Sequence, residues 1–204
     1  MEKTTKERIL IEAFRLFAEN GYKGTNLRDL AARLGITKSA LYKHYESKDD
    51  IWESLLDYLD AYYNAHFEKI TRDSDVPKDV ESFVSIVLNM VRFTVEDEYV
   101  SMARRLVAME EYHDSRTRAL ATNQVVDMIQ ERFVSMFESM MDMGLIEKDD
   151  PEFLSLIFVA PISVMVRLSD RETDRKERII EQIEAFATTF AKRIGLKEGS
   201  YAQH

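Results

Sequence analysis

The chain has 204 residues, of which 45% are hydrophobic and 32% charged, with no cysteine, six glycines, three prolines and a formal net charge of -9. That length buries a core without help from a metal or cross-link. The absence of cysteine excludes disulfides, thiolate metal sites and cysteine nucleophiles, and it points to a reducing, cytoplasmic compartment. The acidic total argues against a nucleic-acid partner only until its distribution is read. Residues 1–48 hold ten Lys and Arg against six Asp and Glu, whereas the remainder holds eighteen against thirty-one. A basic head on an acidic body gives local positive potential for phosphate while limiting indiscriminate attraction to polyanions. The opening MEKTTKERIL is too charged for a secretory signal, and no run approaches a membrane span. The longest mostly apolar stretch, residues 154–166, contains serines and reads as a buried helix.

Few glycines and prolines, and no convincing period-two alternation, predict an all-α protein. Thr4 and Glu7 form a capping-box pattern ahead of the stripe Ile9, Leu10, Ala13, Phe14, Leu16 and Phe17, and Asn20-Gly21 stops that helix. Asn26 starts a two-turn helix that Gly35 ends, and Thr37 caps a third over residues 38–45. Ser47, with Asp50 three residues on, opens a long fourth helix to about Ile70. Residues 71–78 read as a linker. Further apolar-periodic stretches cover residues 80–95, 99–113, 115–143, 151–168 and 176–194, with a frayed tail at 197–204. Pro77 and Pro151 suit helix starts, whereas Pro161 falls inside a helix and predicts a kink with a freed carbonyl near Ile157.

Two short helices joined at Gly35-Ile36 have the layout of a helix-turn-helix over residues 26–45. In that motif the first helix braces across the DNA backbone and the second enters the major groove. Leu30, Ala31, Leu34, Ile36 and Leu41 supply the inward packing, leaving Thr37, Lys38, Ser39, Ala40, Tyr42, Lys43 and His44 to face outward. Tyr45 reads as core and Arg33 as a solvated helix face.

Residues 9–52, ILIEAFRLFAENGYKGTNLRDLAARLGITKSALYKHYESKDDIW, resemble the N-terminal domain of the tetracycline-repressor (TetR) family almost without interruption. The resemblance implies a three-helix DNA-binding domain at residues 3–63, joined by the fourth helix to a helical effector-binding and dimerisation bundle at 64–204. It also implies phosphate contacts from Thr25, Arg28, Tyr42, His44 and Lys48, and base-edge contacts from Thr37, Lys38, Ser39, Ala40 and Lys43. Asn26 stands where the family often has Thr or Ser and keeps a capping side chain.

For the bundle, the resemblance implies an internal pocket for a small apolar or amphipathic effector and a dimer contact made by the last two helices. The sequence supports the contact, because residues 154–168 are apolar nearly all round and the last helix carries its own stripe. Leu154, Ile157, Phe158, Met165, Ile179, Ile183, Phe186 and Phe190 are therefore assigned to it. Tyr112-His113 reads as a surface turn and Arg92 as an ordinary ion-pair partner. No Gly-rich phosphate loop, G-x-S-x-G or His-x-x-x-His pattern occurs, so neither catalysis, cofactor nor metal is assigned. The expectation is a ligand-responsive repressor that binds a palindromic operator as a homodimer. The alternative is a DNA-bound adaptor whose bundle binds a protein.

Overall fold

Side-chain caps set most of the helix starts in the computed structural model, which describes residues 4–72 and 76–199. Helix α1 (Thr5–Gly24) opens on a capping box, in which the Glu7 N–H donates to Thr4 Oγ1 at 3.2 Å and the Thr4 N–H to Glu7 Oε2 at 2.7 Å. The predicted stop at Gly21 is a sharp break, with φ 71° and ψ 171°, before a last turn to Gly24. Helix α2 (Leu27–Leu34) is capped by Asn26, whose Oδ1 accepts from the N–H groups of Arg28 and Asp29 at 3.0 Å each. Helix α3 (Lys38–Tyr42) follows Thr37 and is shorter than predicted. At the head of α4 (Lys48–Arg72), Ser47 Oγ accepts from Asp50 N–H at 3.0 Å, and Asp50 accepts from Glu46 N–H at 2.8 Å.

The remaining helices are α5 (Val80–Glu96), α6 (Glu98–Glu110), α7 (Ser115–Thr122), α8 (Met128–Asp142), α9 (Pro151–Arg171) and α10 (Lys176–Arg193). The single stretch predicted at 115–143 contains a π-helical segment, Asn123–Asp127, between α7 and α8. Of the predicted linker, residues 73–75 lie outside the described residues. So do residues 200–204 of the predicted tail, whereas 197–199 lie along the start of α5. There the Val80 N–H donates to the Lys197 carbonyl at 2.9 Å, and the Gly199 N–H to Glu81 at 2.6 Å.

The chain divides into two units, Met1–Ala65 with Met102–Ala121, and His66–Ser101 with Thr122–His204. Most of α6 and all but the last residue of α7 thus group with the N-terminal helices, although the sequence reading placed them in the bundle. In the first unit, α1, α2 and α4 enclose Phe14, Phe17, Leu30, Ile51, Leu55 and Leu56. Trp52 stands edge-on to Phe17 with ring centroids 5.1 Å apart. Ion pairs from Arg116 on α7 to Glu53 and Asp57 fasten α7 to α4.

The second unit packs α5 on α10 and α8 on α9, with α9 also against α5 and α10. Phe158 lies at its centre, with ring centroids 4.7 Å from Phe190, 4.9 Å from Phe133 and 5.2 Å from Phe83. Two serines of α9 have hydrogen-bond partners, since Ser155 Oγ donates to the Gln130 carbonyl at 3.0 Å and Ser169 Oγ to the Val166 carbonyl at 2.7 Å. Helix α9 runs through Pro161 as one helix. With 21 residues it is longer than the apolar stretch read from sequence, and by length and composition it is sufficient to cross a membrane. Its inner face is nevertheless packed against protein.

This packing divides the residues assigned to the dimer contact. Leu154, Phe158, Ile179, Ile183 and Phe190 are buried within their own protomer, and side chains already enclosed cannot meet a partner. The α10 stripe faces inward toward α5 and α9. Met165 and Phe186 are half-buried and Ile157 is exposed. The apolar surface that remains open belongs to α9, where Phe153, Leu156, Ile157 and Val164 are 53%, 51%, 40% and 70% exposed. These residues recur at helical spacing opposite the buried Leu154, Ser155, Phe158, Val159 and Val166.

Candidate nucleic-acid interface

The turn between α2 and α3 is built by Gly35 at φ 65°. Its N–H donates to the Ala32 carbonyl at 3.1 Å, and the next N–H, of Ile36, reaches Ala31 at 3.0 Å. This is the Schellman arrangement, which closes the carbonyl end of α2 and redirects the chain within two residues. Thr37 then caps α3 by accepting from the Ala40 N–H at 3.1 Å. Leu41 and Tyr45 turn inward and are buried, and burial raises the Tyr45 phenol above its ordinary pKa. Thr37, Lys38, Ser39, Tyr42, Lys43 and His44 are consequently exposed together, with Ala40 half-buried among them. The Lys38 ammonium lies 5.6 Å from the Tyr42 ring centroid, a cation–π contact along the outer face. Arg28 is exposed at the start of α2.

Two assigned phosphate contacts point inward instead. Thr25 is 3% exposed, and its hydroxyl donates to the carbonyls of Leu16 at 3.1 Å and Gly21 at 2.9 Å. Lys48 is half-buried, and its Nζ donates to the carbonyls of Tyr22 at 2.7 Å and Thr25 at 2.9 Å while lying 4.2 Å from the Tyr22 ring centroid. Desolvation holds its pKa below the ordinary lysine value, an effect opposed by the charge of Glu110. Arg33 is not simply solvated, because it pairs with Glu19 at 2.5 Å and Glu12 at 3.3 Å and so ties α2 to α1. That pairing holds the Glu19 carboxyl below its ordinary pKa, chiefly through the hydrogen bond from Arg33.

A basic, donor-rich helix face behind a two-helix turn is an arrangement for meeting DNA, and residues 9–55 match the profile of bacterial regulatory proteins of the tetR family. The negative transcriptional regulator IcaR of the icaADBC biofilm operon, from Staphylococcus epidermidis, is 23% identical over 193 residues, 92% of this chain and 100% of that protein. The match to the tetR family lies in residues 9–55, the segment that holds the two-helix turn. The fold agrees with solved structures along nearly the whole chain. A protein from Mesorhizobium loti assigned to the TetR-family transcriptional regulators superposes with a TM-score of 0.69 at 18% identity, over 94% of this chain and 98% of its own. AibR, crystallised with isovaleryl coenzyme A and operator DNA, superposes with a TM-score of 0.62 at 22% identity, over 89% and 96% respectively. The chain therefore shares the fold of these proteins and carries a helix-turn-helix within the segment matched to the tetR family.

In the sequence, nothing marked Glu110 as part of the DNA-binding unit. It closes α6, is 8% exposed, and accepts the Tyr22 N–H at 2.8 Å, beside the carbonyls held by Lys48. The only local signal was Asn20-Gly21, which announces a turn without its partner. Among the described residues no group of three or more His, Asp or Glu side chains is arranged to hold a metal ion. In the second unit an open groove of about 450 Å³ runs between α5 and α10, lined by Val84, Leu88, Asn89, Arg92, Glu184 and Lys192 among others. Tyr112 is 76% exposed, as a surface turn requires, and Arg92 pairs with Glu96 at 2.6 Å.

Proposed function

We propose that this chain is a ligand-responsive transcriptional repressor that binds a palindromic operator as a homodimer in the cytoplasm. The observation that carries the reading is the outward set on and around α3, from Thr37 to His44, held over buried Leu41 and Tyr45. In the major groove, Lys38 and Lys43 donate to guanine O6 and N7, Thr37 and Ser39 donate to or accept from base edges, and the Ala40 methyl meets a thymine methyl. Arg28, Tyr42 and His44 fix the register on phosphates. The inward hydrogen bonds of Thr25 and Lys48 give those residues the task of holding the α1–α2 junction rather than of touching DNA. The DNA-binding domain spans residues 3–63, and the bundle spans 64–204 except that residues 102–121 associate with the domain.

Repression is supported by the likeness to IcaR, whose name is that of a negative regulator. Effector binding is supported by AibR, whose complex holds both isovaleryl coenzyme A and operator DNA. Homodimerisation is supported by the open apolar face of α9, which a second copy covers through a two-fold contact. The effector acts by stabilising a dimer whose recognition helices no longer match both half-sites. Genome-wide recovery of bound DNA, followed by footprinting, tests this reading. The expected operator has two inverted half-sites with centres about 34–36 Å apart or a multiple of it. A monomer bound at full affinity to one asymmetric half-site overturns it.

A further inference from the structure

Glu110 is costly where it stands. A carboxylate on the last residue of a helix opposes the helix dipole, and burial of the charge adds a desolvation penalty. Neither cost is recovered within α6. The compensation comes from α1, whose broken turn presents the Tyr22 N–H to the carboxylate at 2.8 Å, and from the nearby charge of Lys48 on α4. That turn is shaped around the contact. Gly21 has φ 71° and ψ 171°, a region that side-chain-bearing residues avoid, and a Cβ there would lie 2.9 Å from Glu110 Oε1.

The same turn leads directly into the recognition pair. Tyr22 has each of its polar groups engaged: its N–H by Glu110, its carbonyl by Lys48 and its hydroxyl by Asp49. Lys48 also holds the Thr25 carbonyl, immediately before the Asn26 cap of α2, and Thr25 ties back to Leu16 and Gly21. Glu110 therefore closes a network that fixes where α2 begins relative to α1 and α4. Glu110, Tyr22, Thr25 and Lys48 all lie within the first unit.

We infer that Glu110 is a positioning residue for operator recognition: its carboxylate on the Tyr22 N–H holds the α1–α2 junction in the DNA-binding geometry. This inference rests on the reading of the chain as an operator-binding regulator. Glu110 makes no contact with DNA in this scheme. Its removal weakens specific recognition, which needs two correctly angled helices, while non-specific binding, driven by phosphate charge, persists.

The test uses the full-length protein, the operator fragment recovered from the genome and a scrambled fragment of equal length, with the melting temperature recorded for each variant. Glu110→Ala is expected to lower operator affinity by about tenfold or more, the scale of a missing hydrogen bond to a charged group, and scrambled-DNA affinity by less than about twofold. Glu110→Gln keeps an acceptor at the same reach and should stay within about threefold of the unmodified protein, whereas Glu110→Asp withdraws it by one methylene and should behave like Ala. Gly21→Ala should weaken operator binding, and by less when combined with Glu110→Ala than on its own, since the clash partner is then absent. If Glu110→Ala does not fold, the contrast between Asp and Gln decides. Equal affinity of the Asp and Gln variants for operator, or parallel loss on operator and scrambled DNA, overturns the inference. Failure of the unmodified protein to prefer any fragment instead overturns the operator-binding reading itself.

Discussion

Replacing Val164 with Asp should separate the protomers without harming the protomer itself, whereas Ile183→Ala should do the reverse. Val164 is 70% exposed on α9, so in the isolated protomer the change falls within about 0.5 kcal/mol, as for other surface substitutions. In a two-fold contact the same change introduces two carboxylates into an apolar patch. Phe153, Leu156, Ile157 and Val164 together leave the equivalent of roughly two side chains per protomer open to water. At about 1.5–3 kcal/mol for each fully buried side chain, covering them on both protomers contributes about 6–12 kcal/mol before the cost of association. Two desolvated charges, at several kcal/mol each, remove a large part of that gain. The dimer dissociation constant should rise at least about a hundredfold, equivalent to about 3 kcal/mol.

Ile183 has no exposed surface, and truncation to Ala should cost about 2–5 kcal/mol of stability through the cavity it leaves. Sedimentation velocity over a dilution series reports association, and thermal unfolding at concentrations where both variants are monomeric reports the protomer. A Val164→Asp protein that remains dimeric at unchanged affinity, or an Ile183→Ala protein that dissociates with its protomer stability intact, refutes the placement of the interface on α9.

Lys43→Ala should cost about 1–3 kcal/mol on the operator and relax preference at one position of each half-site, measured by binding to operators varied one base pair at a time. Arg28→Ala should lower the magnitude of the salt slope by about 0.9 for each phosphate no longer neutralised, while Lys48→Ala should leave that slope unchanged and lower the melting temperature. Titrations across a salt series separate the two, and a reduced slope for Lys48→Ala would return that lysine to the phosphate-binding set. Asp79 caps α5, and hydrogen bonds from the Ser82 hydroxyl and N–H hold its carboxyl below the ordinary pKa. Its folded pKa lies below the unfolded one, so its contribution is fully present above the unfolded value of about 4 and is lost as pH falls through the lowered value. Asp79→Asn should therefore be nearly neutral at pH 7 and flatten the acid limb of stability, whereas Asp79→Ala should cost about 0.5–2 kcal/mol at neutral pH. Thermal melts from pH 7 to pH 2 check both.

The helix starts at Thr4, Asn26, Thr37 and Ser47 were legible in the sequence because a cap and its recipient N–H lie within three residues, so no distant partner is involved. The outward face of α3 was legible for a related reason. Once Leu41 and Tyr45 are placed inside, helical spacing leaves Lys38, Ser39, Tyr42 and Lys43 outside. The π-helical segment at Asn123–Asp127 was hidden, since its residues fit an ordinary helical pattern.

Tertiary structure decided everything that required a phase or a partner from far along the chain. An α9 apolar on every side carries no mark of which face turns inward, and the α10 stripe reads alike whether α5 or a second protomer covers it. Thr25 and Lys48 have the chemistry of phosphate ligands, and only the approach of the Leu16, Gly21 and Tyr22 carbonyls turns them inside. Glu110 meets Tyr22 across 88 positions of sequence. Capping chemistry acts over a single turn and is written in neighbouring residues, whereas burial is a property of the surface that arrives from elsewhere in the chain.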